Sequence, residues 1–144
     1  MKTIQLLPND IPKFWEAIKF AAKEADEVAD SEFPVYCGEM LHSLLNETSQ
    51  CFIRLDDENK LIAIMITRVD VNKFSGAKSL FIQCLYSWAV VGENVWMKDR
   101  ELIISYAKQS GCREIVFQSR HERVWELGRG AGFKEKYRAY GVRL

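Results

Sequence analysis

The sequence is poor in metal-binding and redox patterns. Its four cysteines, Cys37, Cys51, Cys84 and Cys112, form no Cys-x-x-Cys pair, and only His42 and His121 could join them as ligands. A structural zinc centre needs four N or S ligands at short, regular spacings, so this composition argues against one. Cys51, Cys84 and Cys112 lie in or beside apolar runs, which predicts buried, reduced thiols. No apolar run approaches the roughly 18 residues that cross a bilayer. The opening MKTIQLLPND meets Pro8 and Asp10 too early for a secretory leader, so a cytoplasmic protein is expected. Repeats, low-complexity tracts and linker-like segments are absent, which predicts one domain over 1–144.

Net charge is also lacking, at +0 over 144 residues. It is unevenly spread. Residues 1–99 hold 10 Lys+Arg and 15 Asp+Glu, net −5, and residues 100–144 hold 10 Lys+Arg and 5 Asp+Glu, net +5. The basic residues near the C-terminus (Arg120, Arg123, Arg129, Lys134, Lys136, Arg138, Arg143) alternate with Glu122, Glu126 and Glu135. That interleaving and the zero balance argue against nucleic acid as a partner. What the chain has is apolar residues, 48%, and aromatics, 12%. Those suffice for a globular core. The aromatic surplus fits a large core or self-association into a homodimer.

Periodicity gives the elements. Ile11, Phe14, Trp15, Ile18, Ala22, Ala25 and Val28 recur at three- and four-residue spacing, predicting a helix over 11–29 capped by Asn9 or Asp10. A second helix is predicted over 38–46, after a loop DSEFPVYCG broken by Pro34. CFIRL (51–55) and LIAIMITRV (61–69) flank the polar turn DDENK, as a hairpin would. SLFIQCLYSWAVV (79–91) is a long strand rich in aromatic and β-branched residues. A helix over 94–110 stopped by Gly111, a strand over 113–119, a short helix HERVWELGRGA and a closing strand GFKEKYRAYGVRL complete the pattern. The order predicts an α/β (α+β) fold, a mixed sheet with helices on both faces.

The strand 79–91, the helix ending in Tyr106, Ala107 and Gly111, the strand through Ile115, Val116 and Phe117, and the pair Gly132–Phe133 together resemble the GNAT acetyltransferase superfamily. SYAKQSGCREIVFQSRHERVWELGRGAGF further resembles the small GNAT-like proteins of tailed bacteriophages and prophages. The likeness rests on Gly111, Cys112, Arg120, Trp125, Gly132 and Phe133, with Tyr106 in place of a Trp. The superfamily likeness implies a mostly antiparallel sheet and acetyl-CoA as donor to an amine. For a phage-encoded protein it implies residence in the host cytoplasm.

The same resemblance assigns roles. The pantetheine arm would pair with the backbone at Trp88, Ala89 and Val90, as an added strand does. The loop VGENVW would hold the pyrophosphate on backbone N–H groups through Val91, Gly92, Asn94 and Val95. It keeps one of the family's glycines. Asn94 tolerates the backbone geometry of a second, whereas Trp96 replaces a third and Glu93 adds a repelling charge. The family's tyrosine acid falls on Gly128, so His121 as base and Tyr86 as substitute acid are the catalytic candidates. A solvent-facing helix start for His121 and a core role for Tyr86 are the plainer readings of the same two side chains. The acidic run EADEVADSE would suit a cationic amine acceptor, or solvent. Two functions stay open: acetyl transfer to an amine, and a catalytically silent GNAT-fold protein that acts by binding in a virion, in assembly or at a host target.

Overall fold

A computed structural model describes all residues, 1–144. Five strands form one sheet in the order β1-β2-β3-β4-β5: Lys2–Leu6, Ser49–Leu55, Leu61–Val71, Lys78–Ser87 and Cys112–Phe117. The first three pairings are antiparallel and β4–β5 is parallel. Four helices join them: α1 (Ile11–Asp26), α2 (Phe33–Leu45), α3 (Glu93–Gln109) and α4 (Glu122–Gly130). The mixed α/β class is as the sequence predicts.

Alternation along β2 sorts the core into two layers. Cys51, Ile53 and Leu55 point to one face and meet Ile18, Ala21 and Ala22 of α1 and Met40 and Leu44 of α2. Phe52 points to the other face and meets Met65, Leu80 and, from α3, Ile103 and Ala107. Ile18, Ile53 and Ile64 are fully buried. Each contributes about 1.5–3 kcal/mol relative to exposure. The α1/α2 layer is the fuller one, with 13 buried apolar residues against 5 beneath α3.

The turns follow from side-chain chemistry. In the β2–β3 hairpin, Asp56 Oδ1 accepts from the N–H groups of Glu58 and Lys60, and Asn59 takes a left-handed φ of 62°. Gly111 ends α3 at φ +77°, a conformation that glycine adopts without strain.

Several boundaries differ from the sequence reading. The N-terminus forms β1, an edge strand with mostly exposed side chains and therefore no apolar period to read. Asp10 precedes α1 in a helical conformation and makes no capping bond; its carboxylate takes Lys13 Nζ at 3.1 Å instead. Pro34 sits in the first turn of α2, where its missing N–H costs nothing, so the segment read as a loop is helical from Phe33 on. The segment 134–144 forms no strand and stays exposed. It touches β5 and the residue after it through side chains, Lys136 to Glu114 and Tyr137 Oη accepting from Gln118 Nε2 at 3.1 Å, without a backbone ladder.

Candidate active site

The site begins with an extra residue. Ile66 faces Cys84 and Thr67 faces Ile82, so Gln83 is bulged out of the β3–β4 ladder. A bulge bends its strand. At the same point β4 parts from β5: their pairing runs from Lys78↔Cys112 to Ile82↔Phe117 and stops. From Gln83 to Ser87 the β4 edge has no strand partner on that side. The strands that diverge are β4 and β5, while 61–69 and 79–87 remain paired.

A largely apolar cavity of about 120 Å³ opens where they diverge. One end has Gln83, Ser119 and His121; beneath α3 and α4 it runs past Ile82, Met65 and Phe117 to Arg54 and Asp99. Arg54 is almost fully buried. Its Nη2 is ion-paired with Asp99 Oδ2, and Thr3 Oγ1 donates to Asp99 Oδ1 at 2.6 Å. The Trp96 ring covers the guanidinium face, 4.7 Å away. Arg54 Nε and Nη1 have no hydrogen-bond partner.

Trp96 therefore does not block the start of α3, because its ring turns inward onto Arg54. Gly92 precedes the helix with extended φ, −65°, and a Cβ there would meet nothing within 4 Å. Its carbonyl accepts from Val95 and Trp96, and no side chain caps the turn. The N–H groups of Glu93 and Asn94 are left free at the positive end of the helix dipole. Glu93 stands on that same turn, exposed.

The sequence-predicted residues divide among four places. Val91 is buried, and Gly92, Asn94 and Val95 form the turn into α3. Trp88, Ala89 and Val90 are exposed beyond β4. Trp88 N–H still donates to Ile62 O, and its ring stacks near Phe20 and meets Tyr86 edge-on. Tyr86 packs beside the α1/α2 core, whereas His121 lines the cavity just before α4. The fold does not bring these two together. His121 is exposed, and its N–H donates to Ser119 Oγ at 3.1 Å.

Two groups of residues escaped the sequence reading. Arg54 was visible only as a charge inside the apolar run CFIRL, on the same strand face as Phe52. The other group lies at the bulge: Tyr36 Oη donates to Asp26 Oδ2, and Gln83 Oε1 accepts from Arg68 Nη1 at 3.0 Å. Gln83 Nε2 lies 3.5 Å from both Asp26 Oδ2 and Tyr36 Oη. Burial, and then the Asp26 bond, hold the Tyr36 hydroxyl far above its usual pKa, so it is a donor at neutral pH. Asp26 belongs to the acidic run EADEVADSE, but Tyr36 and Gln83 come from other elements, so no local spacing announces the cluster.

No family profile and no curated protein matches the chain. Solved structures do. The fold is that of the GNAT acetyltransferases. A predicted acetyltransferase from Clostridium acetobutylicum, solved with acetyl-CoA, superposes with TM-score 0.75 at 11% identity, covering 99% of this chain and 95% of that one. A ribosomal-protein-alanine N-acetyltransferase from Brucella melitensis biovar Abortus 2308 gives 0.71 at 13%, with full coverage of both chains. An aminoglycoside acetyltransferase from an uncultured soil metagenomic sample, in complex with sisomicin, gives 0.72 at 18%, covering 99% and 95%. At these identities the likeness is one of fold. No helix is long and apolar enough to cross a membrane.

Proposed function

We propose that the chain is an N-acyltransferase that moves an acetyl group from acetyl-CoA to an amine. The observation that carries this reading is the parting of β4 from β5 after Ile82↔Phe117, with the cavity that opens there. An unpaired strand edge offers backbone donors and acceptors to an extended amide-bearing arm. The free N–H groups of Glu93 and Asn94 suit a pyrophosphate at the far end of that arm. Gly92 leaves the approach open, and Trp96 is turned away from it.

The thioester supplies the activated acyl group; the protein has to manage protons. The attacking amine must be neutral, and His121, at the cavity wall, is the side chain we assign as its base. The amine nitrogen bonds to the thioester carbonyl carbon, the C–S bond breaks, and the departing CoA thiolate takes its proton from solvent, because Gly128 stands where the resemblance places a tyrosine. Tyr86 lies on the other face of the sheet, so it cannot share a proton with His121 without another carrier. Asp26 and the exposed Glu24, at the end of α1, give the acceptor side a negative character that suits a cationic amine, while Asp30 is ion-paired with Lys23 and Glu27 with Arg120.

A second reading has its own support. Gly128 packs on the Phe117 ring, which would have to move for a tyrosine, and Glu93 opposes phosphate. Both features fit a catalytically silent member that works by binding, in the manner suggested by the likeness to phage and prophage proteins. Thiol release from acetyl-CoA, followed against a panel of primary amines and polyamines, separates the two. Amine-dependent release that falls at least tenfold in His121→Gln supports transfer. Cofactor binding with no release across the panel supports the silent reading.

A further inference from the structure

The two layers of the core are filled unequally, and the under-filled one holds the cavity. At about 120 Å³ it offers roughly ten times the space that one buried water needs. An acetyl group requires far less. Most of its lining is apolar, including Phe52, Met65, Leu85 and Ile103, so water is a poor occupant of most of it.

The far end is different. Arg54 is almost wholly buried, and the cavity reaches it. Asp99 balances its charge from one side and Trp96 covers its face. Nε and Nη1 keep their protons without an acceptor. Leaving buried donors unpaired is costly, and native proteins rarely do so without a ligand or a water to satisfy them. Because Asp99 already neutralises the guanidinium, the missing element is an oxygen acceptor rather than a counter-ion alone.

We propose that the donor pocket continues beneath α3 to Arg54, and that it takes acyl groups of several carbons ending in an oxygen acceptor in preference to acetyl. This rests on the acyl-CoA reading given above. Arg54 faces Ala63, which faces Ser87, so it stands two strand spacings, roughly 10 Å, across the sheet from the Ser87 end of the unpaired β4 edge. An apolar chain crosses the Phe52–Met65–Leu85 floor, and its terminal oxygen accepts from Nε or Nη1. A carboxylate and a ketone carbonyl share this chemistry.

Binding calorimetry with free CoA and with acetyl-, hexanoyl-, 5-oxohexanoyl- and glutaryl-CoA tests the proposal. The expected result is at least tenfold tighter binding of glutaryl- or 5-oxohexanoyl-CoA than of acetyl-CoA, with hexanoyl-CoA gaining less. Glutaryl-CoA leading identifies a carboxylate terminus, and 5-oxohexanoyl-CoA leading a carbonyl. The variant Arg54→Met/Asp99→Leu removes both charges together, so neither is stranded, and it should bring the oxygen-ended thioesters level with hexanoyl-CoA. Equal affinities throughout, or a gain from hexanoyl-CoA that terminal oxygen does not increase, would overturn the proposal while leaving the acyl-CoA reading intact. No binding of any thioester or of CoA would overturn both.

Discussion

A side chain on Gly128 would place its Cβ 2.5 Å from Cζ of Phe117. Phe117 is edge-on against Phe133, ring centres 5.1 Å apart, and also borders the cavity, so its ring can make room only by turning into that space. A larger side chain at position 128 needs that ring to move. Gly128→Ala should cost about 1–3 kcal/mol, the usual penalty for overpacking, and lower the melting temperature by several degrees. In a Phe117→Ala background the same substitution should cost much less, because its obstacle is gone. An equal cost in both backgrounds would show that the ring is not the obstacle.

The Arg54–Asp99 pair lies between the first turns of α3 and the β1–β2 end of the sheet. Removing one partner strands a buried charge, which costs about 3–5 kcal/mol, whereas removing both together costs much less. Urea denaturation should therefore rank Asp99→Leu well below Arg54→Met/Asp99→Leu in stability. A double variant as unstable as the single one would mean that packing, not charge, holds the site.

Stability should fall in alkaline solution for a definable reason. Burial pushes the Cys51 thiol up to about 12, and it raises Cys84 and Tyr36 further. Unfolded, the thiols ionise near 8.5–9 and the phenol near 10. Between those values and the folded ones, the unfolded chain has released protons that the native state still holds. The stabilisation is thus complete below about pH 8.5 and is lost as pH rises toward 12. Each such group contributes a slope of about 1.4 kcal/mol per pH unit in that window. Cys51→Ala should flatten the curve by one group's share between pH 9 and 11. An unchanged slope would mean that Cys51 ionises freely in the folded protein.

The segment 134–144 lies on the surface, and its ion pairs are exposed ones. Arg138 to Glu135 is local, and Lys136 to Glu114 is half-exposed. Surface pairs of this kind contribute roughly 0–1 kcal/mol. Deleting residues 134–144 should leave the denaturation midpoint nearly unchanged. A drop of several degrees would show that the segment does pair with β5 in solution.

Where a signal was local, the sequence carried it. The runs that became β3 and β4 are too apolar to be anything but central strands, and Gly111 marks the end of α3. β1 was illegible because its side chains are mostly exposed and only pairing with β2 defines it. The residues 134–144 read as a strand, yet a strand is made by a partner ladder, and that is absent here. The turn into α3 was legible as Gly92 with Asn94. The direction of the Trp96 ring was not, since it depends on Arg54, 42 positions earlier. The cavity itself is a property of spacing between layers, and no residue names it.

The most direct measurement is acetyl-CoA binding by calorimetry to the wild-type chain and to Gly92→Trp and Glu93→Gln. Gly92 has open space around it and an ordinary φ, so the tryptophan should leave the fold intact and obstruct only the turn. Glu93→Gln removes the charge that opposes phosphate at the free N–H groups. The wild type should bind with micromolar affinity, Gly92→Trp at least tenfold more weakly, and Glu93→Gln several-fold more tightly. No binding at millimolar cofactor, or equal affinity in all three proteins, would contradict the acyl-CoA reading.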